Sequence, residues 1–272
     1  MHPARLLTVC ASLTLLAGVA SCDSQEGDQP SPSAVPPPAG KDHRIHEIRD
    51  PASPTKAAHQ SQVAVSGAVV IAVDRFDETH NGRSMGTIYV QDLGSREPYS
   101  GISLFNPSFI PGNLRVGAGD ALDLRGQFQE NQDIPFKFAP GAFLVQLANA
   151  VGTFRFDANV PDPVEIELKD LESYDVGSKW LNMLVTVKNV TVEGKPFISG
   201  GGRYAYDLMP PIPTEQTGCD TPFPKVPTLV NALTDLGPVQ LAPGTVIKSL
   251  TGVVTFFCNL QIAPRSVKDI VL

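Results

Sequence analysis

Residues that could act as a general base are few, and they lie early in the chain. None of the five histidines follows residue 80 in a chain of 272 residues: they are His2, His43, His46, His59 and His80. His80 lies in the polar segment Asp77–Arg83, which predicts a loop. A serine or cysteine nucleophile needs a base beside it. The sequence therefore predicts no catalytic residue, no cofactor and no enzymatic activity.

Carboxylates are the other groups that could do chemistry, because they can hydrolyse a glycoside in pairs or bind calcium in clusters. Asp74, Asp77 and Glu78 lie close together, and Asp92 ends a predicted strand. Their spacing is not that of an EF-hand loop, and we interpret them as solvated charges, so no metal ligand is predicted. If the chain is an enzyme after all, a carboxylate- or metal-dependent hydrolase is the alternative.

The N-terminal segment has the pattern of an export signal. Arg5 precedes the apolar stretch Leu6–Val19, which is too short for a good membrane-spanning helix. The stretch ends in Val19-Ala20-Ser21-Cys22, which resembles the lipobox of bacterial lipoproteins. The resemblance implies that residues 1–21 are a signal peptide and that Cys22 carries a diacylglycerol and anchors the chain to a membrane. The alternative is an ordinary secretory signal with Cys22 incidental.

Export would place Cys219 and Cys258 in an oxidising compartment, where disulfides form and persist. Cys10 would leave with the signal peptide and Cys22 would carry lipid, so these two form the remaining pair. We predict a disulfide between them, which closes a loop of about 40 residues and stabilises the fold by about 4 kcal/mol in the chain-entropy model. The alternative is two unpaired thiols, with Cys258 buried in a strand.

Composition changes at about residue 60. Residues 22–60 are rich in proline, serine and charge and contain no aromatic residue, which is typical of a segment that buries too little surface to fold. We therefore predict a disordered linker between the lipid anchor and the folded part. The formal net charge of −7 gives no basic footprint, so nucleic acid is not favoured as a partner.

Two series of strand patterns follow, separated by turn residues. The first series contains a long strand bent at Gly67 and another bent at Gly126, and its members are 63–73, 87–92, 101–105, 120–130 and 143–147. The second contains a long strand bent at Gly252, after one short helical turn within 172–181, and its members are 183–192, 204–208, 245–257 and 260–262.

The two series match in order, which indicates a weak internal duplication. The segment SGAVVIAV corresponds to MLVTVKNV, GTIYVQD to RYAYDLM, and GDALDLRGQF to GTVIKSLTGVV. The period is longer than that of any solenoid repeat. We therefore predict two tandem β domains, residues 61–160 and residues 161–272.

Long, glycine-bent first and fourth strands are typical of a small Greek-key barrel of the OB type. The segments VSGAVV (65–70), GTIYVQD (86–92) and YSGI (99–102), with Gly119-Asp120, resemble the OB-like domains that accompany bacterial extracellular nucleases. The resemblance covers most of residues 61–272 and its motifs are structural rather than catalytic. It implies a mostly β fold of two tandem OB-like barrels. A pair of immunoglobulin-like sandwiches is the alternative fold.

Strand alternation selects candidate ligand-binding residues, because strands 2 and 3 usually hold the ligand in an OB fold. Ile88, Val90, Ile102 and Leu104 alternate inward, whereas four candidates point outward: Tyr89, Gln91, Phe105 and Arg125. Aromatic rings beside a guanidinium can stack on a base or a sugar. The alternative is that Tyr89 and Phe105 pack against the second domain or under residues 106–118.

Together these patterns predict a non-catalytic lipoprotein of the cell envelope, held at the outer membrane or at the periplasmic face of the inner membrane. It would bind or scaffold a protein, a glycan or another polymer. The alternative is an accessory nucleic-acid-binding protein that partners an extracellular nuclease.

Overall fold

Two β-sheets are the main elements of the part of the chain that the structure describes. A computed structural model describes residues 42–74, 86–132, 140–198, 203–209, 227–237, 239 and 241–272. These residues are mostly β, as predicted, and their helices are short. The longer of the two α-helices in this part of the chain, α1, covers only Ile45–Arg49.

The first sheet contains six strands: β1 (Gln62–Val73), β2 (Ile88–Asp92), β3 (Gly101–Phe105), β4 (Ser108–Ile110), β5 (Asp120–Asn131) and β6 (Leu144–Asp157). They pair in the order β3-β2-β1-β5-β6-β4, and β3 also pairs with β6, so the pairing returns to its first strand. The pairs of β6 with β3 and with β4 are parallel, and the other pairs are antiparallel.

The second sheet contains seven strands: β7 (Val164–Glu165), β8 (Leu184–Ile198), β9 (Tyr204–Met209), β10 (Thr228–Val230), β11 (Val246–Phe257), β12 (Asn259–Ala263) and β13 (Ile270–Val271). Their order is β13-β11-β12-β10-β9-β8-β7, with β11 also paired to β8. Between β7 and β8 lie the 3₁₀ turn Leu168–Leu171, α2 (Tyr174–Gly177) and the 3₁₀ turn Ser178–Trp180. The last two fall within residues 172–181, where the sequence predicted a helical turn.

Five strands of each sheet share one order of pairing: β1, β2, β3, β5 and β6 in the first, and β8, β9, β10, β11 and β12 in the second. In each set the first strand pairs with the second and the fourth, the second pairs with the third, and the third runs parallel to the fifth, as β3 does to β6 and β10 to β12. Strands β1, β2 and β5 thus occupy the same positions as β8, β9 and β11, which is the correspondence that the sequence match predicts. The sequence missed β4 and β10, because three residues are too few for a visible alternation.

Bulges produce two of the three predicted bends. The register of β1 with β5 shifts between Val65 and Ala68, around Gly67, whose φ of +68° is a conformation that favours glycine. The register of β5 with β6 shifts between Arg125 and Gln127, around Gly126. At Gly252 no bulge interrupts the pairing of β11 with β8. Instead, β11 changes its pairing partner next to this glycine, from β8 to β12.

Residues 42–60, which we call the strap, are ordered, and this corrects the prediction of a disordered linker over 22–60; residues 22–41 lie outside the described residues. His43 forms a parallel bridge with Val65, and α1 buries Ile45 and Ile48 completely in the core. These two isoleucines lie three residues apart and so share one helix face. Composition did not reveal the strap, because a polar segment can still be ordered when one apolar helix face packs against a core that the rest of the chain forms.

One large apolar cluster contains residues of both sheets. The residues predicted to point inward, Ile88, Val90, Ile102 and Leu104, are buried in it, and so are Val185, Val187 and Ile262 of the second sheet. The described residues belong to one compact unit. The two sheets therefore share buried apolar surface in addition to a chain connection.

Candidate binding surface

The four predicted binding residues separate into two pairs. Phe105 is 58% exposed and Arg125 is also exposed, whereas Tyr89 is only 9% exposed and Gln91 is completely buried. All four point away from the interior of the first sheet, as alternation predicts. Tyr89 and Gln91 are buried because the second sheet covers them.

Tyr89 and Gln91 belong to the contact between the two sheets. Tyr89 packs with Ile71 and Ala72 of the first sheet and with apolar residues of the second, among them Leu184, Val230, Val253 and Ala263. Its burial raises the pKa of the Tyr89 phenol. The Gln91 Oε1 atom accepts a hydrogen bond of 3.0 Å from the backbone N–H of Leu184. Both residues therefore hold the sheets together, which is the packing alternative for Tyr89.

Arg49 of the strap joins the two halves. Its Nη1 atom donates to the carbonyl of Gly101 in β3 and to that of Leu181 at 2.8 Å, and its Nη2 atom donates to the carbonyl of Ser178 at 3.1 Å. The side chain is 4% exposed, and this burial lowers the pKa of Arg49 to about 10. One buried guanidinium thus satisfies carbonyl groups from both halves.

Asp92 at the end of β2 holds the start of α1. Its Oδ1 atom accepts from the backbone N–H of Ile45 at 2.7 Å, and its Oδ2 atom accepts from that of His46 at 3.0 Å. Burial is the largest influence and raises the pKa of the Asp92 carboxyl, while the hydrogen bonds from Ile45 and His46 oppose it. The imidazole Nδ1 of His46 also lies 3.0 Å from Oδ2. Asp92 is therefore a helix-capping residue.

The acidic residues considered as metal ligands have other partners. Asp74 accepts a 2.8 Å hydrogen bond from Nη2 of Arg203, while Asp77 and Glu78 lie outside the described residues. Among the described residues, no group of three or more His, Cys, Asp or Glu side chains is placed to hold a metal ion.

A polar cleft of about 410 Å³ lies between the strap and the bulge of β1. Its lining includes Asp42, His43, Glu47 and Arg155. His43 Nδ1 lies 3.5 Å from Glu47 Oε2, and Arg155 Nε lies 3.4 Å from Oδ2 of the buried Asp123. The lining holds three carboxylates (Asp42, Glu47 and Asp92) and two guanidinium groups (Arg44 and Arg155), so the cleft mixes both signs of charge and has no cationic or anionic cluster that selects a charged ligand.

Phe105 stands beside a pair of asparagines in an uncommon backbone conformation. Asn106 and Asn149 both have a φ of +50°, and Nδ2 of Asn106 donates to Oδ1 of Asn149 at 2.9 Å. They lie between the parallel pairs Phe105–Ala148 and Ser108–Val151, so β3 and β4 continue along β6 in one register across this point. Both asparagines are exposed. This backbone conformation places the side chains of both asparagines at the surface, next to the exposed ring of Phe105.

Four further amides form a hydrogen-bonded network on the outer side of β5 and β6. Nε2 of Gln129 donates to Oε1 of Gln127 at 2.9 Å, and Oε1 of Gln129 accepts from Nδ2 of Asn131 at 3.1 Å and from Nε2 of Gln146 at 2.8 Å. We call these four residues the amide ladder. Gln127, Gln129 and Asn131 alternate along β5, so the sequence signal was present, but alternation alone does not distinguish a network from solvated side chains.

The amide ladder, Phe105, Arg125 and the Asn106–Asn149 pair make up one surface, which we call the amide face. In the register of this sheet, Ala148 of β6 lies between Phe105 of β3 on one side and Gln127 of β5 on the other. Arg125 of β5 pairs with Val151 of β6. The structure therefore keeps two of the four predicted residues at the surface and joins them to amides that sequence reasoning did not select.

Several predicted positions lie outside the described residues: Cys22, Cys219 and His80. Cys258 is completely buried next to β11, and the disulfide between Cys219 and Cys258 stays a prediction. No helix within the described part of the chain is long and apolar enough to cross a membrane.

Comparison with known proteins gives no relative for this chain. No protein-family model matches it, and neither a curated protein nor a solved structure does so. Function is therefore inferred from the residues and their geometry.

Proposed function

We propose that this chain is a non-catalytic binding module of the cell envelope, anchored by lipid at Cys22 and built from two OB-like barrels. The barrel proposal is supported by the shared order of pairing, in which the chain of paired strands returns to its start in both sheets. The lipid anchor is supported by the lipobox-like segment Val19–Cys22.

One observation carries the binding proposal: the outer side of the first sheet has a covered part and an open part. Tyr89 and Gln91 are covered by the second sheet, whereas Phe105 is 58% exposed beside ordered amides. An exposed aromatic ring beside ordered amides offers a ligand both an apolar platform and hydrogen-bonding groups, and burying a large ring is favourable. The amide face is therefore the site at which we expect an envelope polymer or protein to bind.

The buried polar residues that hold the strap, Arg49 within it and Asp92 in β2, support a structural rather than a chemical use. Arg49 is held by backbone carbonyls and Asp92 by the start of α1. Both residues are thus engaged in joining parts of the fold, and rigid joining suits a module that presents a surface to a partner.

Two measurements test the proposal. Replacing Cys22 with serine should move the protein from the membrane fraction to the soluble fraction of the producing bacterium. The purified full chain in detergent should retain solubilised envelope material, and the double variant F105A/R125A should retain at least tenfold less. Unchanged membrane association of C22S would overturn the anchor, and equal retention by the two proteins would overturn the binding site.

The nucleic-acid alternative is tested with the same chain. Titration with single-stranded DNA at low salt should give no binding, because a single-strand binder relies on a positively charged groove. Salt-dependent binding that is lost in R125A would replace the present proposal with the accessory nucleic-acid-binding function.

A further inference from the structure

Resting on the proposed binding function, we propose that the amide face binds a neutral, hydroxyl-rich glycan, with Phe105 stacking on a sugar ring and the amide ladder hydrogen-bonding its hydroxyls. The juxtaposition that points to this ligand is an exposed aromatic side chain in the same cross-strand row as an ordered amide. Phe105 pairs with Ala148, and Ala148 pairs with Gln127.

The spacing of this row suits a ligand of the size of one or two sugar units. Neighbouring strands lie about 4.8 Å apart, so the backbones that carry Phe105 and Gln127 are roughly 10 Å apart. Ala148 occupies the intervening strand with a single methyl group. An extended ligand that crosses the strands therefore meets the ring first and the amides next.

The chemistry of the amide ladder matches hydroxyl groups. An amide group both donates and accepts, as each sugar hydroxyl does. The partly exposed Gln127, Gln129 and Asn131 keep donor or acceptor capacity beyond their mutual bonds and the bond from Nε2 of Gln127 to the carbonyl of Gln60, whereas Gln146 is buried and orients Gln129. The bonds of Gln129 to Gln127, Asn131 and Gln146 fix the orientation of these amides before a ligand binds. Fixed side chains lose less conformational entropy on binding, which favours affinity.

Charge and apolar area favour a glycan over the other polymers. Within the amide face Arg125 is the one cationic residue, which is too little for the backbone of a nucleic acid. The cores of protein interfaces are enriched in aromatic residues and Met, but here amides surround one phenylalanine. A neutral glycan needs one aromatic platform with hydrogen-bonding groups around it, which is the composition of this face.

Calorimetric titration of the full chain in detergent tests the inference with three soluble probes: a neutral β-glucan oligosaccharide, a neutral N-acetylglucosamine oligosaccharide and acidic alginate oligosaccharides. We expect at least one of the two neutral oligosaccharides to bind, and F105A to weaken that binding about tenfold. Replacing the hub Gln129 with methionine, which has similar volume but no amide, should weaken it by a similar factor. F105W should restore binding, because it keeps an aromatic platform.

The matched control is F197A, which removes a phenylalanine of comparable exposure, 45%, from the second sheet. It should bind as the parent chain does, and thermal unfolding followed by circular dichroism should show all variants folded. Binding that is equal in F105A and the parent, binding of alginate alone, or binding of none of the probes would overturn the glycan inference. Retention of an envelope protein through Phe105 and Arg125 in the absence of glycan binding would leave the proposed function standing, so the two failures are distinguishable.

Discussion

The five corresponding strands of the two sheets pair in the same order, but the outer surfaces of corresponding strands contact different parts of the molecule. In the second sheet, β11 and β12 contribute Val253 and Ala263 to the contact with the first sheet. The corresponding strands of the first sheet, β5 and β6, carry the amide ladder instead, and the first sheet contributes β1 and β2 to the contact. The contact between the halves is therefore asymmetric although the strand order is not.

This difference teaches that strand order and surface use are separate properties of such a fold. Inward residues are apolar in both sheets, because both must fill a core. Outward residues are free to differ, so the outer surface of a strand can contact the other sheet in one half of the molecule, while the corresponding strand of the other half can bind a ligand. Four changes probe this comparison, beginning with the largest expected effect.

The predicted disulfide would cross-link the second half of the folded chain, since Cys219 and Cys258 both lie in the sequence after residue 161. Reduction, or the C219S/C258S double variant, should lower the free energy of unfolding by about 4 kcal/mol. Thiol labelling of the unfolded, unreduced protein, followed by mass spectrometry, checks the bond. Quantitative labelling of Cys219 and Cys258 without a reductant would show that the bond is absent.

The strap is the element that both halves share. Replacing Arg49 with methionine leaves the carbonyls of Gly101, Leu181 and Ser178 without their donor. We expect the free energy of unfolding to fall by roughly 3 kcal/mol, because bonds to charged donors are strong and buried acceptors need partners. Urea unfolding followed by fluorescence of the single tryptophan, Trp180, measures it. The exposed neighbour supplies the control R44M, which should change stability by under about 0.5 kcal/mol.

Gly101 lies at a close approach between the backbones of the two halves. A Cβ atom there would be 2.2 Å from the carbonyl oxygen of Asn182. The variant G101A should therefore lose about 2 kcal/mol through overpacking between the halves. At Gly112 a Cβ meets nothing within 4 Å, so G112A is the control. Equal stability of G101A and G112A would contradict the observed close approach.

Asp92 gives the smallest effect and a pH dependence. Asparagine at this position offers one acceptor oxygen instead of two, so D92N should lose about 1 kcal/mol at neutral pH. Burial raises the native pKa of Asp92 above its ordinary value of 3.8, so the native state binds this proton more tightly than the unfolded chain does. The contribution of Asp92 to stability is therefore fully present below pH 3.8 and decreases as the pH rises through the native pKa.

Urea unfolding of the parent and D92N across this pH range measures that slope. The parent should lose this share of its stability on going from acidic to neutral pH, and D92N should not. A parallel pH dependence of the two proteins would show that Asp92 does not titrate with folding.

The strands of the core could be predicted because their signals are local. Alternation identified 101–105 as β3 with its observed ends, and Gly67 and Gly126 marked two bulges correctly. The strap could not be predicted from composition, because its order depends on hydrogen-bond acceptors that lie far along the chain. The Asp92 carboxylate accepts from the start of α1, and the carbonyls of Leu181 and Ser178 accept from Arg49.

The candidate site was predictable only in part, for the same reason. Alternation placed Tyr89, Gln91, Phe105 and Arg125 on the outer side, and that orientation is what the sequence by itself determined. Only the tertiary structure decided that the second sheet covers Tyr89 and Gln91 while Phe105 and Arg125 stay exposed beside the amide ladder. The period of a strand fixes which way a side chain points, but what covers it depends on contacts between residues that lie far apart in the chain.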